Sequence, residues 1–261
     1  MIVKIDNTLE KKFWQYVSHE ESLNLFIIGY VENYGFSSDS QEVWSQTKKG
    51  SITSIILKNK STLIIYSLEN NFDVEEMESH IKGLDIESIS GKKCVIDRLV
   101  SIYKDFYEKL DNKFCILKKI KELDFSTINE YRIEKAYEKD IDEIGKLLNE
   151  SGYKVSPKYI EARKEYLKEG NVRGYFIKDN NTMISTVSTG METSFLAMIV
   201  SVSTDKEHRK KGLASYMVYN LSKELLSEGK IPCLFYNNEI AGKIYHNIGY
   251  EETNEWTILF K

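Results

Sequence analysis

A mixed α/β fold in two units is predicted for this chain, and three features predict it. Segments with apolar residues at helical spacing alternate with short β-branched runs, turn residues punctuate the joins, and one polar, charged stretch at 122–130 divides the chain. The boundary is placed in that stretch, giving units 1–125 and 126–261, each of ordinary domain size.

The second unit is the better punctuated. A short strand is expected over 131–136, and Asp140 followed by Glu143 reads as a capping box opening a helix that ends near Glu150. Ser156 as cap, Pro157 in the first turn and Gly170 as stop frame a second helix. Segments 172–177 and 182–188 read as strands joined by Lys178-Asp179-Asn180-Asn181, a sequence suited to a hairpin turn. A long fourth strand follows over 195–204. After a loop at Arg209, a helix is expected from Gly212 to about Glu228, with Ala214, Met217, Val218, Leu221 and Leu225 on one face and Gly229 as stop. Segment 231–236 is the next strand. Segment 240–248 is a short helix whose Ile240, Ile244 and Ile248 share a stripe expected to face the core, and 256–260 is a closing strand.

The first unit is less punctuated. Helices are expected over 9–17, 22–33, 74–81 and 92–107, a hairpin over 52–57 and 62–66, and strands over 86–89 and 114–117. This order is a shortened copy of the second unit without its basic loop.

Composition excludes several classes of function. With 41% hydrophobic and 29% charged residues the chain is an ordinary globular one, and its net charge of -4 gives no signal for nucleic acid. The apolar run 195–200 is too short for a membrane helix, and the N-terminus meets charge too early for a secretory signal, so a cytoplasmic protein without membrane contact is expected. Cys94, Cys115 and Cys233 do not make a disulfide framework, and the four histidines show no ligand spacing, so no metal is expected.

The chemistry concentrates in VSTDKEHRKKGLAS, which places a strand end before R-x-x-G-x-A and an amphipathic helix. Amides at a helix N-terminus have no intrahelical partner and carry the positive end of the dipole, which suits a pyrophosphate. Gly212 lets a phosphate approach without a Cβ in the way, Arg209, Lys210 and Lys211 add charge, and Ser215 adds a hydroxyl. Downstream, in NEIAGKIYHNIGY, Asn238, Ala241, Tyr245 and Gly249 fall at spacings of three, four and four. Small Ala241 leaves room for a narrow ligand beside the Tyr245 hydroxyl.

With both motifs in this order, the region from Tyr131 to Lys261 resembles the GNAT superfamily of N-acetyltransferases, closest to a bacterial two-domain, FR47-like branch. That resemblance implies a cofactor-binding GNAT fold in the C-terminal domain behind a smaller, degenerate GNAT-like N-terminal domain. It implies acetyl-CoA as co-substrate, with Val202, Ser203 and Thr204 offering backbone groups to the pantetheine. Arg209, Lys210, Lys211, Gly212, Leu213, Ala214 and Ser215 would then hold the pyrophosphate, Asn238 would help fix the arm, and Tyr245 would act as general acid towards the departing thiolate.

A bulge at the end of the fourth strand would open the edge that an extended ligand needs. The acceptor is expected to be the primary amine of a small molecule or peptide. No carboxylate lies on the fourth strand. Glu192, just before it, is the nearest candidate base by sequence, but reads first as a solvated hairpin carboxylate. Without a base, a catalytically silent acyl-CoA-binding or interaction module stands as the alternative.

Overall fold

Residues 1–114 together with 253–261 form one unit of this computed structural model, and residues 115–252 form the other. Residues 1–128 and 130–261 are described; residue 129, within the expected boundary stretch, lies outside them.

The first unit opens with β1 (Ile2–Lys4), α1 (Glu10–Val17), α2 (Leu25–Tyr34), β2 (Ser37–Ser38), β3 (Gln41–Lys48), β4 (Ser51–Asn59) and β5 (Thr62–Tyr66). It continues with α3 (Val74–Lys82), β6 (Ser88–Lys92), α4 (Lys93–Ile96) and β7 (Glu108–Ile116). Strands β3, β4 and β5 form an antiparallel meander, and β6 joins β5 in parallel. Its core gathers Trp44, Ile56, Leu63, Ile65, Met77, Ile89 and Val95.

Two expectations fail in this unit. Strand β3 was not expected, because Gln41, Ser45 and Gln46 give it a polar face; all three are buried. The amides are satisfied there: Gln41 donates to the Tyr30 and Gly35 carbonyls, and Gln46 to the Asp73 carbonyl and the Glu76 carboxylate. The helix expected over 92–107 stops at Ile96 and resumes only as a 3₁₀ stretch, Val100–Asp105. Arg98 sits at the break, its guanidinium donating to the backbone carbonyls of Asn70 and Phe72.

The second unit runs β8 (Ile133–Lys135), α5 (Ile141–Glu150), α6 (Pro157–Glu169), β9 (Gly174–Asp179), β10 (Thr182–Glu192), β11 (Leu196–Thr204), α7 (Leu213–Ser227), β12 (Ile231–Tyr236) and α8 (Glu239–Ile248). Strands β8 to β11 pair antiparallel in sequence, and β12 joins β11 in parallel. The β9–β10 turn is left-handed at Asn180 and Asn181, with φ of 47° and 65°, the backbone a tight hairpin of this hand requires. Helix α6 is framed as expected: Ser156 accepts from the Tyr159 amide and Gly170 is left-handed. On α7, Met217, Val218, Leu221 and Leu225 are buried against Leu234, Tyr245 and Ile248.

The expected capping box of α5 is not formed. The Asp140 carboxylate turns back to the Tyr137 amide at 2.9 Å, while Glu143 accepts from the Met183 amide at 3.1 Å and pairs with Lys178 at 2.9 Å. The isoleucine stripe of α8 also fails, since Ile240 is 77% exposed while Gly242, Tyr245 and Ile248 are buried. Steps of four residues rotate a helix position by about 40° each, so Ile240 and Ile248 lie about 80° apart. Ile240→Lys is therefore expected to change stability by less than about 0.5 kcal/mol, whereas Ile248→Ala should cost about 2–5 kcal/mol. Urea melts of both variants check this.

The last strand, β13 (Glu251–Phe260), does not close the second unit as expected. From Thr253 it belongs to the first, pairing antiparallel with β6 from Trp256↔Lys92 to Phe260↔Ser88. Trp256 and Leu259 are buried, and Thr257 donates to Asp111 at 2.5 Å. An alternating strand pattern states which face is buried, not which strand pairs with it.

Candidate active site

Strand β11 carries the irregularity from which the site is built. Its register with β10 steps from Ser188↔Val200 to Thr186↔Ser203, so two residues, Ser201 and Val202, oppose one, and Ser201 has φ of 55°. This is a β-bulge. Parallel pairing with β12 runs only from Leu196↔Ile231 to Ile199↔Leu234. Beyond Ile199 the two strands part company, and the opened strand edge expected from the sequence lies there.

Around the bulge most side chains are committed. Ser203 donates to Ser151 at 2.6 Å, Thr204 contacts Ser185 at 3.1 Å, and Ser185 also donates to the Ser203 carbonyl at 3.0 Å. Ser203 and Thr204 are accordingly buried, and Val202 is half-buried. Only the main chain of Val202, Ser203 and Thr204 is suited to pairing with an extended ligand.

After β11 the chain is stitched into a short loop. Asp205 accepts from the Glu207 amide and meets His208 Nδ1 at 2.8 Å, a hydrogen bond that holds its carboxyl below the usual aspartate range. Arg209 folds back, its Nε donating to the Thr204 carbonyl at 3.1 Å. Lys210 and Gly212 are both left-handed, with φ of 64° and 83°, and left-handed residues in such turns help form anion-binding concavities of backbone N–H groups. Lys210, Lys211 and Gly212 are exposed.

Helix α7 then starts without a side-chain cap and with no acidic residue in its first turn, whereas Ser156 and Asn238 cap α6 and α8. Its first helical bond runs from the Tyr216 amide to the Gly212 carbonyl at 2.9 Å, so the amides of Leu213, Ala214 and Ser215 precede the ladder. Leu213 itself is core, which leaves its amide alone to serve a ligand. Three donors, the positive dipole end and the exposed lysines are together of the kind that suits phosphate oxygens.

Helix α8 supplies the remaining group. Asn238 Oδ1 is held by the Ala241 amide at 2.9 Å, so this residue first of all starts the helix. Tyr245 is buried, its ring 5.9 Å from those of both Tyr236 and Tyr250. Burial first, then Tyr153 and Cys115, pushes its phenol well above the ordinary range, so it holds its proton at neutral pH. The close approach on this helix is at Gly242 rather than Ala241: a Cβ there would lie 2.7 Å from the Tyr236 ring.

Glu192 is neither a solvated hairpin residue nor a free base. It ends β10, and its carboxylate receives Arg173 at 2.8 and 2.7 Å, Lys230 at 2.6 Å and Thr189 at 2.8 Å. Burial raises its pKa, but the hydrogen bonds from Arg173, Lys230 and Thr189 prevail and leave it below the usual glutamate range. Its register partner Ala197 lies four residues before Ser201, about 13 Å along the strand.

Because its folded pKa is depressed, its stabilisation is full above the ordinary glutamate value and disappears as pH falls through the folded value. Glu192→Gln should cost about 2–3 kcal/mol at neutral pH and flatten the loss of melting temperature below about pH 4. Acetyl-CoA affinity should be unchanged.

Sequence reasoning missed the stretch from Ser151, just after α5, to Tyr159 in the first turn of α6. Ser151 accepts from Ser203, Tyr153 donates to the Val202 carbonyl at 3.2 Å, and Tyr159 meets the Ser201 hydroxyl at 3.0 Å. These pairs are 42 to 52 residues apart, and no local spacing announces them. Among the described residues, no three His, Cys, Asp or Glu side chains gather to hold a metal, and no helix is long and apolar enough to cross a membrane.

Comparison with known proteins bears on the family and the fold. The family model described as GNAT acetyltransferase matches residues 69–259, extending upstream of the resemblance read from the motifs. No curated protein sequence matches the chain. Among solved structures, the chain is similar to a GCN5-related N-acetyltransferase from Kribbella flavida, with TM-score 0.63 and 12% identity over 92% of this chain and 94% of that one. It is also similar to a tandem GNAT protein from the clavulanic acid biosynthesis pathway, with TM-score 0.57 and 10% identity over 100% and 98%. A GNAT-family acetyltransferase from Colwellia psychrerythraea gives TM-score 0.55 and 12% identity over the full length of both chains. At such identities the likeness is one of fold.

Proposed function

The chain belongs to the GNAT acetyltransferase family, and from that premise we propose that it transfers the acetyl group of acetyl-CoA to a primary amine by direct attack. One observation carries the reading: the uncapped N-terminus of α7 follows, after one short loop, on the bulged end of β11, whose edge towards β12 is unpaired. The first suits the pyrophosphate and the second the pantetheine amides. Arg209 to Ser215 hold the phosphates, chiefly through the amides of Leu213, Ala214 and Ser215, and the main chain of Val202 to Thr204 pairs with the arm.

In the reaction the amine nitrogen bonds to the thioester carbonyl carbon, and the oxyanion so formed is met by a main-chain N–H at the bulge. The C–S bond then breaks and Tyr245 gives its proton to the departing thiolate. The proton lost by nitrogen passes to solvent and restores the phenol, leaving the acetamide and free CoA. The acceptor is a small molecule or a peptide, and the setting is the cytoplasm.

Isothermal titration with acetyl-CoA tests binding, and thiol release with benzylamine, aniline, glycinamide and spermidine tests transfer. Tight binding with amine-dependent thiol release is the expected result. Binding with no thiol release from any of the four would replace the enzyme with a silent acyl-CoA-binding module, and absent binding would sink the site.

A further inference from the structure

We propose that Tyr153 orients the acceptor amine, its phenol oxygen receiving an N–H of the nucleophile while its own O–H stays donated to the Val202 carbonyl. This rests on the acetyl transfer proposed above and adds to it the group that meets the acceptor.

Three residues of the bulged segment, Ser201, Val202 and Ser203, are each held by the stretch from Ser151 to Tyr159. That stretch therefore lies against the strand edge where the thioester is to sit. Within it, Tyr153 has a fixed hydrogen-bonding polarity. A carbonyl only accepts, so the Tyr153 hydroxyl must be the donor in its 3.2 Å bond to Val202. A phenol has one proton to give, so its oxygen is left as an acceptor. Tyr153 is 46% exposed as a whole residue, with burial acting on its hydroxyl end, while Tyr245 is 7% exposed.

The two phenols thus take opposite roles. Tyr245 keeps a proton to give away; Tyr153 has directed its proton into the main chain and presents lone pairs. An acceptor oxygen beside a thioester suits a neutral amine, because one N–H is held and the nitrogen lone pair stays free to attack.

Burial raises the Tyr153 phenol above its ordinary value, so it does not ionise at neutral pH and does not deprotonate an ammonium ion. The amine must then shed its extra proton before docking. Turnover under low acceptor concentration should follow the acceptor's own ionisation, rising tenfold per pH unit below the amine's pKa. Amines that are already neutral at pH 7, aniline among the four probes, should show no such rise.

The test is Tyr153→Phe, assayed with whichever of the four amines reacts fastest. The expected result is a fall of at least tenfold in kcat/KM for the amine, carried mainly by KM, with acetyl-CoA affinity within twofold of wild type and an unchanged melting temperature. Tyr153→His, which restores a ring nitrogen able to donate and accept, should recover at least threefold of the loss.

An unchanged kcat/KM for the amine overturns the proposal. So does a parallel fall in acetyl-CoA affinity, which would mean that Tyr153 only braces the bulge. The pH profile gives an independent check in the wild type: a rate that follows one enzyme group regardless of the amine's pKa also overturns it. If wild-type protein neither binds acetyl-CoA nor releases thiol, the acetyl-transfer reading fails instead, and the two failures are distinguished.

Discussion

Gly212→Asp is expected to weaken acetyl-CoA binding at least 100-fold, about 2.7 kcal/mol, while leaving the protein folded. The position is left-handed, with φ of 83°, and a Cβ there would lie 3.4 Å from the Ile128 side chain, an ordinary contact. Conformational strain for an L residue is about 1–2 kcal/mol, and Asp is among the residues that tolerate this region best. Asp at the start of α7 would also supply the missing cap, accepting from a first-turn amide and offsetting much of the strain. That same carboxylate would fill the place of a phosphate oxygen and repel the others. Gly212→Asn, nearly the same shape without the charge, should lose about tenfold, and titrations of both variants separate charge from shape. Equal losses would show that steric fill dominates; no loss in either would remove the loop from the site.

Tyr245→Phe is expected to lower kcat about 100-fold, in the range of a lost general acid, with acetyl-CoA affinity preserved. The ring remains to pack against Tyr236 and Tyr250, so the core is kept. A buried phenol is a weaker acid than the thiol it must protonate, so the transfer depends on contact between the two atoms rather than on driving force. With the phenol pKa raised, kcat should show no alkaline decline below about pH 10, the ordinary tyrosine value. The stability consequence has the same sign. The group's contribution is complete below that pH and is lost as pH rises through the folded value. An unaltered kcat in the variant would take Tyr245 out of the chemistry.

What could be read from the residues alone is what local physics decides. Ser156, Pro157 and Gly170 frame α6, Asn180-Asn181 turns the β9–β10 hairpin, and the strand–loop–helix from Val202 to Ala214 stands where its spacing puts it. The errors lie where distant segments meet. Glu192 looked like a loop carboxylate because Arg173 and Lys230, 19 and 38 residues away, are invisible to any local window. The hydroxyls of Ser151, Tyr153 and Tyr159 find the bulge across longer separations still, 42 to 52 residues, and neither a 3.6 nor a 2.0 period encodes that meeting. Ile240 failed differently, through a helical stripe extended beyond the turn over which it stays straight.

The route of β13 gives the two units unequal histories during synthesis. The unit of residues 115–252 is continuous and has its whole sequence available before residues 253–261 emerge. The other remains one strand short until residues 253–261 leave the ribosome, so β6 presents an open sheet edge to the cell for as long as the intervening residues take to be made. Loss of residues 256–260 would then damage the unit built mostly of residues 1–114. The continuous unit, though encoded later, would be complete sooner.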